Sequence, residues 1–160
     1  MSLLLDELAA SLPDAQETVR VIVRLIAAII AGGVIGYQRE VSHKAAGLRT
    51  HMLVCTGTTL FVLAAVDYGM QLDALSRVIQ GVVTGIGFLG AGAILKIESS
   101  QQIKGLTTAA GIWMTAALGV TIGVGHLGAA ALGTLFAWCV LAIFIRLDKR
   151  IDGSNIDRSA

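Results

Sequence analysis

Five apolar stretches limit what this chain can become: residues 19–37, 49–66, 76–95, 105–123 and 127–145. Each has about the ~20 residues that an α-helix needs to cross ~30 Å of hydrocarbon. A bilayer offers the backbone no water to bond, so such a stretch is held to a helix whatever its local propensities. Composition agrees, with 14% charged residues and a mean hydropathy of +0.77, against about 25% charged in soluble domains. The expected fold is an all-α integral membrane bundle of five transmembrane helices. A net charge of +1 gives nucleic acid no electrostatic footprint, so the lipid bilayer is the first partner and no nucleic acid is expected.

The rest of the chain is short. Residues 1–18 read as an amphipathic leader, with Leu4, Leu5, Leu8 and Leu12 apolar and Pro13 ending it. Its charge before the apolar residues is acidic, the wrong flank for a cleavable signal peptide. Residues 19–148 form the transmembrane domain and 149–160 a short cytoplasmic tail. Cys55 and Cys139 both lie in apolar runs and read as small packed hydrophobes.

Basic residues orient a multi-span protein, because short inner loops carry the excess of Lys and Arg. With the amino terminus outside and the carboxyl terminus inside, the inner segments hold Arg39, Lys44, Arg49, Lys96, Lys104, Arg146, Lys149, Arg150 and Arg158. The outer ones hold only Arg20, Arg24 and Arg77. Tyr37 and Tyr68 fall at span ends, where an amphipathic ring belongs.

The third span contains the stretch Gly81–Leu95, GVVTGIGFLGAGAIL, with five glycines and no charge. Each glycine in a helix costs about 1 kcal/mol relative to alanine in water. In a membrane, small residues let neighbouring helices approach closely. At 100° per residue, Gly81, Gly85 and Gly92 share one stripe, and Gln80, Thr84, Gly87 and Ala91 an adjoining one. Ile79, Val82, Val83, Ile86 and Leu89 cover the opposite side. This reads as a central helix with its smooth face towards neighbours and its bulky face towards lipid. Two readings of the smooth face remain open here: tight packing, or a polar lining for a solute path or a broken helix.

Span four adds Thr108, Gly111, Thr115 and Gly119 on one stripe. Gln80, Thr84, Gly85, Gly87, Thr108 and Thr115 are therefore the residues expected to form a seam between helices 3 and 4. Interhelical hydrogen bonds of this kind contribute only about 0.6 kcal/mol each, so packing alone also explains them. A hint of duplication relates Arg20-Val21-Ile22 to Arg77-Val78-Ile79 and Gly47-Leu48-Arg49-Thr50 to Gly105-Leu106-Thr107-Thr108. It suggests a parallel repeat of helices 1–2 and 3–4.

Charge concentrates after span one, where Arg39, Glu40, His43, Lys44, Arg49 and His51 occur within thirteen residues. One reading is a solvated positive-inside loop. The other is an interaction or ligand surface, with a Glu40–Arg49 pair, because Arg49 and His51 enter the first turn of span two. No metal-ligand spacing links the histidines, and no nucleophile is paired with a base, so no metal, no cofactor and no enzymatic activity are expected.

The ordered motifs Gly36-Tyr37-Gln38-Arg39-Glu40, Ala46-Gly47-Leu48-Arg49-Thr50-His51-Met52-Leu53-Val54, Gly85-Ile86-Gly87-Phe88-Leu89-Gly90-Ala91-Gly92-Ala93-Ile94 and Gly105-Leu106-Thr107-Thr108-Ala109-Ala110 resemble those of the MgtC/SapB family. The resemblance covers about residues 19–145. The family's usual GxERE stands here with Gln38 in place of its first Glu, leaving Glu40 as the motif's carboxylate. The resemblance implies a multi-pass protein of the bacterial inner membrane, linked to growth in low magnesium and to virulence. It also implies action on other membrane proteins, the ATP synthase among them, in the form lacking a soluble ACT-like domain after the last span.

Two functions follow as expectations. The first is a non-enzymatic membrane protein that acts by contacts with other membrane proteins. The second is a channel or transporter for an ion, such as hydrated magnesium, or a small solute, through the seam between helices 3 and 4. Magnesium prefers carboxylate and water oxygens, and no Asp or Glu falls mid-span, which favours the first. Glycine-rich bundles bury their smooth faces between copies, so a homodimer is expected.

Overall fold

A computed structural model describes residues 14–67, 69–97 and 102–156. Five helices follow one another: α1 (Ala15–Val41), α2 (Leu48–Asp67), α3 (Leu72–Gly92), α4 (Leu106–Gly123) and α5 (Leu127–Ile156). Between α3 and α4 the chain forms a small antiparallel hairpin, β1 (Leu95–Ile97) with β2 (Gln102–Lys104), in which Lys96 pairs with Ile103. Helices α1 to α4 are each long and apolar enough to cross a membrane, and α5 is apolar over Leu127–Ile143. The all-α membrane bundle expected from hydropathy is present.

Local chemistry sets several boundaries. Asp14 caps α1, its Oδ1 accepting the Glu17 N–H at 2.7 Å, which satisfies one of the unpaired donors at the helix start. The helix therefore starts at Ala15, inside the stretch read as a leader, most of which lies outside the described residues. Gly105, at φ +99°, turns the chain from β2 into α4 in a conformation that costs glycine little. α3 is unbroken but stops at Gly92, because Leu95 onwards pairs in the hairpin rather than completing the span. α5 continues through Ile156, so most of the expected tail is helical. Tyr37 is exposed inside the last turns of α1, and Tyr68 lies outside the described residues.

The central helix is α4, not α3. Half of the α4 span is buried within the bundle against 6% for α3. One side of α4 gives Leu118 and Ile122 to a core with Ala28, Ala31 and Ile35 of α1, Cys55 of α2, and Ala130 and Ala137 of α5. The other side gives Ile112 and Ala116 to a smaller cluster with Ala46 and Ile86.

The expected orientation of α3 is also reversed. Ile86, from its bulky side, is its one buried residue among those described. Gly81, Gly85, Gly87 and Gly92 face open space, where an added Cβ would meet nothing within 4 Å. Branched side chains fill the gap against α4 better than glycines can, since only they bring apolar atoms into contact across it.

Candidate functional site

The site begins with two pairs of glycines at GxxxG spacing. A Cβ added to Gly32 of α1 would lie 2.6 Å from the His51 carbonyl oxygen, and one on Gly36 would lie 2.7 Å from Leu48 Cα. On α4, Gly119 and Gly123 play the same part against Cys55, Thr58 and Val62 of α2. These close approaches, of the kind small residues permit, press α2 between α1 and α4. The His51 ring is trapped at the junction, with Gly36 on one side and Gly111 on the other.

Two charged-type side chains end up inside. Arg39 is 1% exposed and His51 is 0% exposed. Arg39 Nη2 donates to Thr108 Oγ1 at 2.6 Å. His51 Nδ1 lies 2.7 Å from Thr115 Oγ1, whose hydroxyl donates to the Gly111 carbonyl at 2.9 Å. The Thr115 hydroxyl has one proton for these two neighbours: when it donates to the Gly111 carbonyl it accepts from Nδ1–H, and when it donates to Nδ1 the ring proton is on Nε2. Gln38 Nε2 donates to the Leu141 carbonyl at 3.0 Å, tying α1 to α5.

The cluster is incompletely satisfied. Gln38 Oε1, Arg39 Nε and His51 Nε2 are buried with no hydrogen-bond partner among the described residues. Among the described residues no carboxylate reaches Arg39 to form an ion pair; Glu98 lies outside them. A buried cation without a counter-ion is costly, and buried polar groups left unpaired cost about 1–3 kcal/mol each.

The other loop residues lie on the surface. Glu40 is exposed and its Oε2 accepts the Leu48 N–H at 2.9 Å, capping α2. Gly47 makes room for that carboxylate, since any Cβ there would collide with it. The expected Glu40–Arg49 pair is thus not formed: the Glu40 oxygen is engaged by backbone, and Arg49 is exposed. His43 occupies an exposed left-handed turn at φ +52°, and Lys44 beside it is exposed. Of the six loop candidates, Arg39 and His51 turn inward and the other four face out.

The seam residues divide in the same way. Thr108 and Thr115 point to α1 and α2 rather than to α3. Gln80 and Thr84 are exposed on α3, where the Thr84 hydroxyl donates back to the Gln80 carbonyl at 2.8 Å. Gly85 and Gly87 are exposed beside them. Helices 3 and 4 meet instead through apolar Val82, Ile86, Ala116 and Val120. Sequence reasoning missed Arg24, whose Nη1 donates to the Gly123 carbonyl at 2.8 Å and caps the end of α4. The signal was a lone cation one turn inside an apolar span, which needs a partner.

Comparison with known proteins bears on what this arrangement belongs to. The model of the MgtC family matches residues 25–150. The chain belongs to the MgtC family. It is similar to the putative magnesium transporter YhiD of Escherichia coli K12, 44% identical over 146 residues, covering 86% of this chain and 66% of that one. Protein SrpB of Synechococcus elongatus is 42% identical over 137 residues, covering 79% and 75%. Protein MgtC of Salmonella typhimurium LT2 is 36% identical over 131 residues, covering 82% and 55%. The chain thus spans just under two thirds of the length of YhiD and little more than half of MgtC. No solved structure matches it.

Membership makes this a multi-pass protein of the bacterial inner membrane. Among the described residues no three His, Cys, Asp or Glu side chains come together as a metal site.

Proposed function

We propose that this MgtC-family chain works by lateral contacts inside the membrane, using the glycine face of α3 to meet another membrane protein. The observation that carries this reading is the outward placement of Gly81, Gly85, Gly87 and Gly92, where an added Cβ would meet nothing within 4 Å among the described residues. Glycines in a helix carry a conformational cost, and in membranes their return is close approach of a second helix. A groove of roughly 450 Å³ beside this face, lined by Thr58, Phe61, Val78, Gly81, Gly85 and Leu89, would receive the partner's side chains. The simplest partner is a second copy, giving a two-fold dimer. By family likeness, larger membrane assemblies such as the ATP synthase are further candidates, and links to magnesium supply and virulence belong to the same proposal.

The orientation fits this reading with the amino terminus outside. Arg24 and Arg39 are engaged inside the fold; setting one aside from each side leaves eight basic residues inside against two outside. A parallel repeat of α1–α2 and α3–α4 is proposed on the motif spacing alone.

The second reading, a path for an ion or solute, draws support from the unpartnered polar atoms around Arg39 and His51 and from the name of the E. coli relative. Both readings are tested together. Purified protein is placed in sealed liposomes for magnesium flux, and its mass is measured in nanodiscs with and without Gly85→Ile. Contact function predicts no flux and a dimer that Gly85→Ile separates. Flux through a monomer would replace it with the transport reading.

A further inference from the structure

The parallel repeat of α1–α2 and α3–α4 assigns an occupant to the open groove between α2 and α3. α2 starts at Leu48 and α4 at Leu106, 58 residues apart, and each start directly follows a glycine, Gly47 or Gly105. The same shift turns Gly32, which approaches His51, into Gly90, whose added Cβ would lie 3.7 Å from that of Ala109, the counterpart of His51. Exchanging the two hairpins carries the contact of α1 with α4 onto that of α3 with α2, and both contacts are made.

The fifth helix breaks this symmetry. α5 packs across α1 and α4, where Ala31 and Leu118 are 6% and 3% exposed. Their counterparts, Leu89 of α3 and Leu60 of α2, are each 47% exposed. Ala27 and Ala31 line the wall that faces α5, and their counterparts Gly85 and Leu89 line the open groove beside Phe61. The α2–α3 groove is thus a second seat for a membrane helix, apolar like the first and uncovered among the described residues.

The face by which α5 sits shows what fits there. It buries the small side chains of Ala130, Thr134 and Ala137, which let helices lie close together. α3 presents small residues outward at the same spacings. Gly81 and Gly85 repeat the step from Ala130 to Thr134, and Gly85 and Gly92 the step from Ala130 to Ala137. Direction agrees as well. Successive spans alternate, so α1, α3 and α5 run the same way. α3 of a second copy in the same membrane orientation therefore lies beside α3 as α5 lies beside α1. We propose that α3 of a second copy occupies this seat. The exchange is mutual, each α3 entering the α2–α3 groove of the other copy about a two-fold axis along the membrane normal. The inference rests on the contact reading of the α3 glycine face, and it adds a docking wall on α2 formed by Leu60 and Phe61.

The test looks for α2 of one copy against α3 of the other. Two tagged forms, both with Cys55→Ala and Cys139→Ala, are made in the same cells. One carries Phe61→Cys and the other Gly81→Cys, at exposed positions that line the groove, and native membranes are oxidised. A disulfide-linked product bearing both tags is expected. It should be lost when Leu135→Cys, at an exposed position on α5, replaces Phe61→Cys. If Gly81→Cys links to itself while the mixed product is absent, the α2 wall is overturned and the contact reading stands. If Gly81→Cys gives no product with any protein, by disulfide or by thiol cross-linker, both are overturned. Linkage of Phe61→Cys to a different protein in place of the second copy would also overturn the proposal.

Discussion

His51 Nδ1 and Thr115 Oγ1 are 2.7 Å apart although 64 residues separate them in the chain. The bond joins the first turn of α2 to the middle of α4, and it exists because Gly36 and Gly111 leave room for the imidazole between α1 and α4. It is a packing outcome as much as a polar one. The same glycines that bring the helices together decide which side chains are drawn into the polar core.

Removing the hydroxyl while keeping the shape isolates that bond. Thr115→Val should lower the stability of the folded protein by about 1–3 kcal/mol, since both ring nitrogens of His51 would then be buried without partners. Thr115→Ser should restore most of the loss. Unfolding in detergent followed by Trp fluorescence measures both, and equal stability of Val and Ser variants would show that the bond contributes nothing.

Glycines that look alike in sequence should respond oppositely to alanine. Gly119→Ala places a Cβ 2.6 Å from the Cys55 carbonyl oxygen, and overpacking of this kind costs about 1–3 kcal/mol. Gly81→Ala meets nothing within 4 Å and should leave the isolated chain as stable or up to about 1 kcal/mol more so. In melting curves taken under conditions that keep the chain monomeric, Gly119→Ala should fall below the parent and Gly81→Ala should not.

Glu40 and Arg49 should behave as independent residues. Glu40→Ala removes the acceptor for the Leu48 N–H and should cost about 0.5–2 kcal/mol, as lost helix caps do. Arg49→Ala, at an exposed position, should stay within about 0.5 kcal/mol of the parent. In a double-mutant cycle the coupling should be close to zero; a clear coupling energy would restore the ion pair that the loop sequence suggests.

The five helices were legible because hydropathy over a span depends on little besides composition. Their ends were less so: β1 and β2 are three residues each, too short for alternation to stand out beside an apolar run. The polar core was half legible. Arg39 and His51 stood out as charged-type residues at span edges, but edge position cannot distinguish a side chain that reaches water from one that folds inward. Helix contacts decide that, and the spacings Gly32-xxx-Gly36 and Gly119-xxx-Gly123 already marked where those contacts would be tightest. The denser glycines of α3 drew attention away from them. Among the described residues, α3 packs through Ile86 and leaves Gly81, Gly85, Gly87 and Gly92 open, so the same motif served two different surfaces.

The central claim is that the α3 glycine face meets another protein in the membrane. Its most direct test places a single cysteine at Gly85, with Cys55 and Cys139 changed to Ala, and oxidises native membranes containing the protein. The account predicts a disulfide-linked species at twice the chain's 16.6 kDa, with no such product from a cysteine at Leu135, an exposed site on α5. A chain that stays monomeric at Gly85, and forms no adduct there with any other protein under a thiol cross-linker, would contradict it.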